Sequence, residues 1–346
     1  MRRKKITIAI IIAVLAVAAV FSYSYYKKVF APNISVEGSE TFIYIPTRSD
    51  VASIATMLKT EGIADNINSF LWVAGKKNYA KNIIPGKYLV KDGMSNNDLI
   101  NLLRSGKQTP VNVTFNNVRT INDLAGKISK YIETDSLQFI KYFDTTTYFT
   151  KAGLKKEQVM TLFLPDTYEF KWNTSATQFL QRMQKEHDKF WNDDRKKKLN
   201  AIQMSEQEVY TLASVVYSET KMSDEASRVA GVYMNRLTQN IPLQADPTII
   251  FAIGDFSKTR VLFSDLQIQS PYNTYKYTGL PPGPICMPPK KYIDAVLNYE
   301  KHAYIYFCAK EDFSGYSNFA KTLEEHNRNA KKYQQALNEW EKKNKK

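Results

Sequence analysis

An apolar run extends from Ile6 to about Phe21 and continues through Ser22 to Tyr26, directly behind Arg2, Arg3, Lys4 and Lys5. With its aromatic tail it reaches the roughly 20 residues a helix needs to cross a bilayer core, and Tyr23, Tyr25 and Tyr26 suit the interfacial belt. Four basic residues before the run against Lys27 and Lys28 after it predict a cytoplasmic tail at 1–5, a transmembrane anchor at 6–26 and an exported body. A cleaved signal peptide is the competing reading, because Ala16-Val17-Ala18 places small residues at cleavage spacing.

Residues 40–108 then read as a small α/β module. Thr41 to Ile45 is strand-like, Val51, Ile54, Ala55 and Leu58 form a helical stripe, and a turn at Pro85-Gly86 leads into the strand Lys87 to Val90. A further helix follows Ser95, carrying Leu99, Ile100, Leu102 and Leu103. Past a linker near Ser105 to Pro110, the alternation Val111-Asn-Val-Thr-Phe115 opens a larger mixed α/β region at 111–340. That region is mainly helical from 120 to 200, apart from the extended segment Leu162 to Phe170. Beyond 205 come two strongly periodic helices, a long stretch rich in proline, glycine and tyrosine, a short strand at Tyr304 to Cys308, and a final helix. Thr322 and Glu325 form a capping box for that helix, and a basic tail follows at Lys342 to Lys346. The fold class expected is α+β behind an N-terminal transmembrane helix.

Among the periodic helices, Val209, Leu212, Ala213 and Val216 fall at i, i+3, i+4 and i+7, and Glu219 continues their stripe. An acidic side chain is thereby directed toward the side the helix buries. Burial disfavours the charged form, raises the pKa and keeps a proton available near neutral pH, as a general acid requires. A glutamate at a helix end that turns to solvent or pairs with Lys221 is the alternative. A second stripe, Ala226, Val229, Ala230, Tyr233 and Leu237, ends at Asn235-Arg236, and Leu243 to Thr248 reads as a polar loop stiffened by Pro242 and Pro247. Asn235, Gln244, Asp246 and Thr248 can thus reach one cleft. Ser270 to Tyr275 and Gly279 to Ile285 form an extended loop bearing Tyr272, Asn273 and Thr274. Aromatic rings offer apolar faces to pyranose rings, and amides and hydroxyls replace the water that sugar hydroxyls lose on binding. The same tyrosines can equally pack among themselves on a surface loop.

Composition bounds these readings. With 346 residues and 43% hydrophobic content the chain is globular, long enough for two or three small domains. The net charge of +14 favours an anionic partner, although much of it lies along solvated helix faces such as Gln184 to Lys198. The export signal argues against nucleic acid as that partner. Cys286 and Cys308 lack metal-ligand spacing and leave pairing open, and no phosphate-cradling loop or dinucleotide fingerprint occurs, so neither metal nor cofactor is expected.

Several segments, in order, resemble the YceG-like endolytic murein transglycosylase family: LPDTYEF at 164–170, LASVVYSET at 212–220 with NRL at 235–237, LQADPT at 243–248, SPYNTY and GLPPGPI between 270 and 285, and more weakly FAKTLEEHN at 319–327. The resemblance implies a YceG-like catalytic domain at 111–340, a LysM-like module at 40–108, and Glu219 as the catalytic residue. Read from the residues themselves, Asn235, Gln244, Asp246, Thr248, Tyr272, Asn273 and Thr274 are the candidates for binding that family's substrate. Peptidoglycan glycan strands would be the substrate, the bacterial inner membrane the anchor site, the periplasm the location of the body, and peptidoglycan polymerases the partners. Two departures stand out: Met160-Thr161 replaces a common Glu-Gly pair, and Ser317 stands where a histidine is usual. His326 lies in the first turn of the last helix and reads as structural.

The implied reaction cuts the bond between N-acetylmuramic acid and N-acetylglucosamine inside a strand and leaves a 1,6-anhydro end. One carboxyl group suffices when the substrate's own hydroxyl attacks, whereas hydrolytic glycosidases place two carboxyl groups about 5 to 9.5 Å apart. A muramidase using Glu219 with Asp246, and a non-catalytic wall-binding scaffold, are the competing functions.

Overall fold

The computed structural model describes residues 2–258 and 260–344; Met1 of the expected cytoplasmic tail and the last two lysines of the basic tail lie outside the described residues. Two compact units divide the chain. One holds residues up to 113 with 131–134 and 169–175, and the other holds 114–130, 135–168 and everything from 176 onward.

In the first unit α1 (Arg2–Val29) is, among the described residues, the one helix long and apolar enough to cross a membrane. Its last turn is tied to the module behind it. Val29 is buried, the Tyr25 ring meets Trp72 edge-on at 5.8 Å, and Asn96 Nδ2 donates to the Lys28 carbonyl at 2.9 Å. Strand β1 (Glu40–Ile45) pairs antiparallel with β2 (Gly86–Lys91), Glu40 opposite Lys91 and Ile45 opposite Gly86. Between the strands lie α2 (Val51–Thr60), capped by Asp50 in a reciprocal box with Ser53, and α3 (Ile67–Lys76), capped by Asn66. Helix α4 (Asn96–Ser105) starts at the Ser95 cap and stops where Gly106 turns left-handed at φ 65°. Strand alternation sends Ile43 and Ile45 inward to meet Ile54, Leu58, Phe70 and Leu99, which together form the unit's core.

Strands β3 (Val111–Phe115) and β4 (Asp166–Phe170) pair, and between them run α5 (Ile121–Ile128), α6 (Ser136–Thr145), α7 (Tyr148–Lys151) and a 3₁₀ segment at Lys156–Leu162. Phe115, Phe139, Phe163 and Phe179 build an aromatic core in the second unit, with Phe139 and Phe179 edge-on at 5.5 Å. Helices α8 (Ala176–Phe190), α9 (Asp193–Ile202), α10 (Glu206–Glu219) and α11 (Ala226–Thr238) follow, then α12 (Asp246–Ile253) and α13 (Lys290–Leu297). The hairpin of β5 (Tyr306–Ala309) and β6 (Ser317–Ala320) and the long α14 (Leu323–Asn344) complete it.

Helix α10 is the centre of the second unit. Ser205 and Glu208 cap its start reciprocally, and every residue from Val209 to Val216 is buried. The periodic stripe therefore understates it: the helix is covered all round, by α11, α12, α13 and the 3₁₀ segment. Its polar residues are satisfied within the protein, since Ser214 Oγ donates to the Thr211 carbonyl at 2.7 Å and accepts from the Ile285 amide at 3.0 Å.

The polar segment ending at Thr248 is not loop throughout. Asp246 begins α12, because Pro247 has the φ of a first helical turn preset and lacks only an N–H that such a turn leaves unpaired. The strand expected at Tyr304 to Cys308 forms two residues later, and its partner β6 carries too short a pattern to have been visible in sequence. The capping box of α14 is only half reciprocal: Thr322 Oγ1 accepts from the Glu325 amide at 3.2 Å, but Glu325 accepts from the Lys321 amide.

Gly283 sits so close to the 3₁₀ segment that an added Cβ would lie 1.9 Å from the Glu157 carbonyl oxygen. Gly283→Ala forces backbone apart there, and the expected outcome is a loss of about 1–3 kcal/mol, read from the midpoint of denaturant unfolding.

Candidate active site

Glu219 ends α10 in a groove of about 360 Å³ in the second unit, lined also by Tyr233, Arg236, Leu243, Gln244, Asp246 and Tyr275, and by Tyr306, Phe307, Leu323 and His326 from later in the chain. The side chain is half-buried: packed from below, it keeps one side toward the groove. Helix α11 brings Tyr233, whose hydroxyl donates to Glu219 Oε1 at 2.9 Å. Burial raises the Glu219 pKa from its ordinary 4.5 to about 7; the Tyr233 hydrogen bond pulls the other way, Asp246 adds a smaller push upward and Arg236 a smaller pull down. A carboxyl group with that pKa is present in both protonation states near neutral pH, which suits a group that must donate a proton and then take one back.

Arg236 is buried and spends its donors on the walls of the groove. Nε donates to the Ile305 carbonyl at 2.7 Å, and Nη1 to the carbonyls of Pro242 and Leu243 and to Gln244 Oε1 at 3.0–3.2 Å. One guanidinium thereby joins the segment before α12 to the start of β5. In the same groove the Tyr275 hydroxyl donates to Asp246 Oδ1. Behind α10, the buried Glu225 carboxylate accepts from the Ser317 amide at 2.8 Å and from the Thr220 hydroxyl at 3.4 Å, which ties β6 to the residue after Glu219. Ser317, one of the departures from the family pattern, is held by that bond.

The predicted site residues divide by where their polar atoms point. Gln244, left-handed at φ 52°, and Asp246 are exposed in the groove beside Glu219. Asn235 turns away from it, its Nδ2 donating to the carbonyls of His302 and Tyr304 at 2.8 Å each. Thr248 and Thr274 are buried and bonded to each other at 2.8 Å, and Thr274 also accepts from the Ala245 amide. Asn273, fully buried, donates to the carbonyls of Leu266 and Ile268 and accepts from the Tyr275 amide. Tyr272 packs on Phe251 at 4.7 Å. Cys286 and Cys308 are both free thiols, Cys286 lying against Ser218.

Residues 43–332 match the YceG-like family. This chain belongs to that family. It is 31% identical over 336 residues to a Bacillus subtilis protein named endolytic murein transglycosylase, covering 92% of this chain and 91% of that one. A Streptococcus pneumoniae protein of the same name is 26% identical over 94% of this chain, which spans 64% of the streptococcal protein. The crystal structure of a yceG-like protein from Listeria monocytogenes superposes with a TM-score of 0.55 at 28% identity, covering 84% of this chain and 99% of the other.

Tyr233, Arg236, Tyr275 and Tyr306 carry no site role in the sequence reading, and His326 reads there as structural. Tyr233 was counted as one apolar member of the α11 stripe, yet a buried phenol needs a hydrogen-bond partner, and that need was the available signal. Arg236 stood in a polar pair at a helix end, where a solvated cation is the ordinary expectation.

Two outcomes follow for Glu219. Folding raises its pKa from the ordinary 4.5 to about 7 through burial, so the folded state binds more protons between those values and stability falls as pH rises through that window. Glu219→Gln removes this penalty: at pH 8 the variant is expected to be about 1–3 kcal/mol more stable than the parent, with the gain gone at pH 4, by denaturant unfolding. Tyr233→Phe deletes a hydrogen bond that favours the carboxylate, so the Glu219 pKa moves further up, measured by carboxyl 13C NMR titration.

Proposed function

We propose that this chain is an endolytic murein transglycosylase with Glu219 as its single acid and base. The observation that carries the reading is the Glu219 carboxyl, which ends an enclosed helix, accepts the Tyr233 hydroxyl and lines an open groove, with burial pushing its pKa up to about 7. Membership of the YceG-like family, and the name of the relative that matches over nine-tenths of both chains, support it. In this reaction protonated Glu219 donates to the oxygen leaving the muramyl C1. The carboxylate then accepts the proton of the C6 hydroxyl as that oxygen attacks C1, closing a 1,6-anhydro ring. Water is not consumed, and no second carboxyl group is needed to activate it.

Gln244 and Asp246 contact the glycan in this reading, because their polar atoms face the groove. Asn235, Thr248, Asn273 and Thr274 bear on the substrate through the loops they hold, their hydrogen bonds being engaged by protein partners. Tyr272 supports the same wall through its ring. Helix α1 anchors the chain in the cell membrane with its N-terminus cytoplasmic. The antiparallel β1–β2 pair with two helices inserted between its strands supports a LysM-like, wall-binding role for residues 40–108. Cutting within new strands beside the membrane would end their elongation and bring the enzyme beside peptidoglycan polymerases.

Incubation with purified glycan strands, followed by mass spectrometry, tests the chemistry. Fragments lacking the mass of one water are expected; reducing ends overturn the transglycosylase reading in favour of a muramidase using Asp246. Glu219→Gln is expected to lower the cleavage rate by at least about 10²-fold while strand binding persists, since the amide is nearly isosteric but cannot cycle a proton. Unchanged cleavage removes Glu219 from the mechanism.

A further inference from the structure

His326 reads in sequence as a structural residue in the first turn of a capped helix, yet the structure places it in the groove that holds Glu219. Its position is fixed from two sides. The backbone is helical, with its amide bonded to the Thr322 carbonyl at 3.0 Å. The ring lies nearly parallel to Tyr306, at 5.2 Å between centroids and 25° between planes. Tyr306 in turn has the Arg236 guanidinium over its ring at 5.1 Å. The imidazole is therefore part of a stack anchored to the groove wall.

The two ring nitrogens are unlike each other. Nδ1 is enclosed and has no hydrogen-bond partner. Among the described residues no group bonds Nε2, which is the nitrogen left open. Placing the proton on Nδ1 would orphan a buried N–H, whereas a buried lone pair without a donor is the better tolerated defect. Charging the ring would add that orphaned N–H and a cation near Arg236; burial and Arg236 accordingly hold its pKa below the ordinary value. What remains is a neutral ring whose proton sits on Nε2.

We infer that His326 is a substrate-binding residue, which donates its Nε2–H to an acceptor oxygen of the glycan lying in the Glu219 groove. The inference rests on the glycan reading given above. Nε2–H offers no lone pair, so His326 does not share the proton traffic of Glu219. Its ligand atom must be an acceptor, and the acetamido carbonyl oxygen is the strongest neutral acceptor that a peptidoglycan strand carries.

The test uses the full chain carrying Glu219→Gln, so that strands bind without being cut, and compares affinities for purified glycan strands by calorimetry. His326→Phe keeps a flat ring against Tyr306 and lacks the donor, and its Kd is expected to weaken about three- to tenfold, the range for one hydrogen bond. His326→Gln restores an N–H at similar reach and is expected to recover part of the loss, which a purely structural role would not predict. Imidazole 15N NMR is expected to show the neutral Nε2–H form, with the Nε2 resonance moving when strands are added. Unchanged affinity in His326→Phe, or a proton found on Nδ1, overturns the inference. Strands that fail to bind the parent at all instead overturn the glycan reading of the groove, and this assignment with it.

Discussion

A carboxyl group placed at the end of a helix enclosed on every side has little water with which to hold a charge, and the second unit is organised around that constraint. Each neighbour of α10 contributes to it. Helix α13 and the 3₁₀ segment cover the flanks, α11 supplies the Tyr233 hydroxyl, and α12 begins at the second acidic residue of the groove. Glu219 is also the last helical residue, so the partial negative charge at the end of α10 adds to the cost of ionising it. The apolar stripe alone would aim the same glutamate inward; the cover on the remaining faces of α10 deepens the enclosure of the helix that carries it.

Much of this arrangement was legible along the chain. The spacing of Val209, Leu212, Ala213, Val216 and Glu219 located the helix and aimed the carboxyl inward, and in the first unit the stripe carrying Ile54, Ala55 and Leu58 marked a helix face that fills the core. What stayed hidden depends on partners distant in sequence. An asparagine or threonine in a proline-rich loop has the same composition whether it grips a sugar or its own backbone. Asn273 and Thr274 bond to carbonyls, amides and hydroxyls of the protein, which fixes the loop's shape. Asn235 does so across 67 residues to His302. His326 was hidden for a related reason: only the pairing of β5 with β6 brings Tyr306 to where a helix-end imidazole can stack on it.

Arg236 shows how economy in the groove is reached. A buried guanidinium is costly unless its donors are met, and here they are met by carbonyls on two segments, one just past α11 and one just before β5. The same group adds a small downward pull to the Glu219 pKa that burial raises, behind the larger pull of the Tyr233 hydroxyl. A change at Arg236 would therefore disturb the groove walls first and the Glu219 proton affinity only slightly.

Asp246 tests how far a single carboxyl can carry the chemistry. It is exposed in the groove, its Oδ1 takes the Tyr275 hydroxyl, and its charge pushes the Glu219 pKa upward. Two acidic groups thus share one groove in different settings, Glu219 half-buried at the end of α10 and Asp246 exposed at the start of α12. A hydrolytic enzyme would need the second carboxyl group to attack the sugar or to activate water. When the attacking oxygen belongs to the substrate, as in the reaction proposed above, neither task remains for it. Asp246 can then accept a tyrosine hydrogen bond without loss to the mechanism, because nothing in the reaction asks it for a free lone pair.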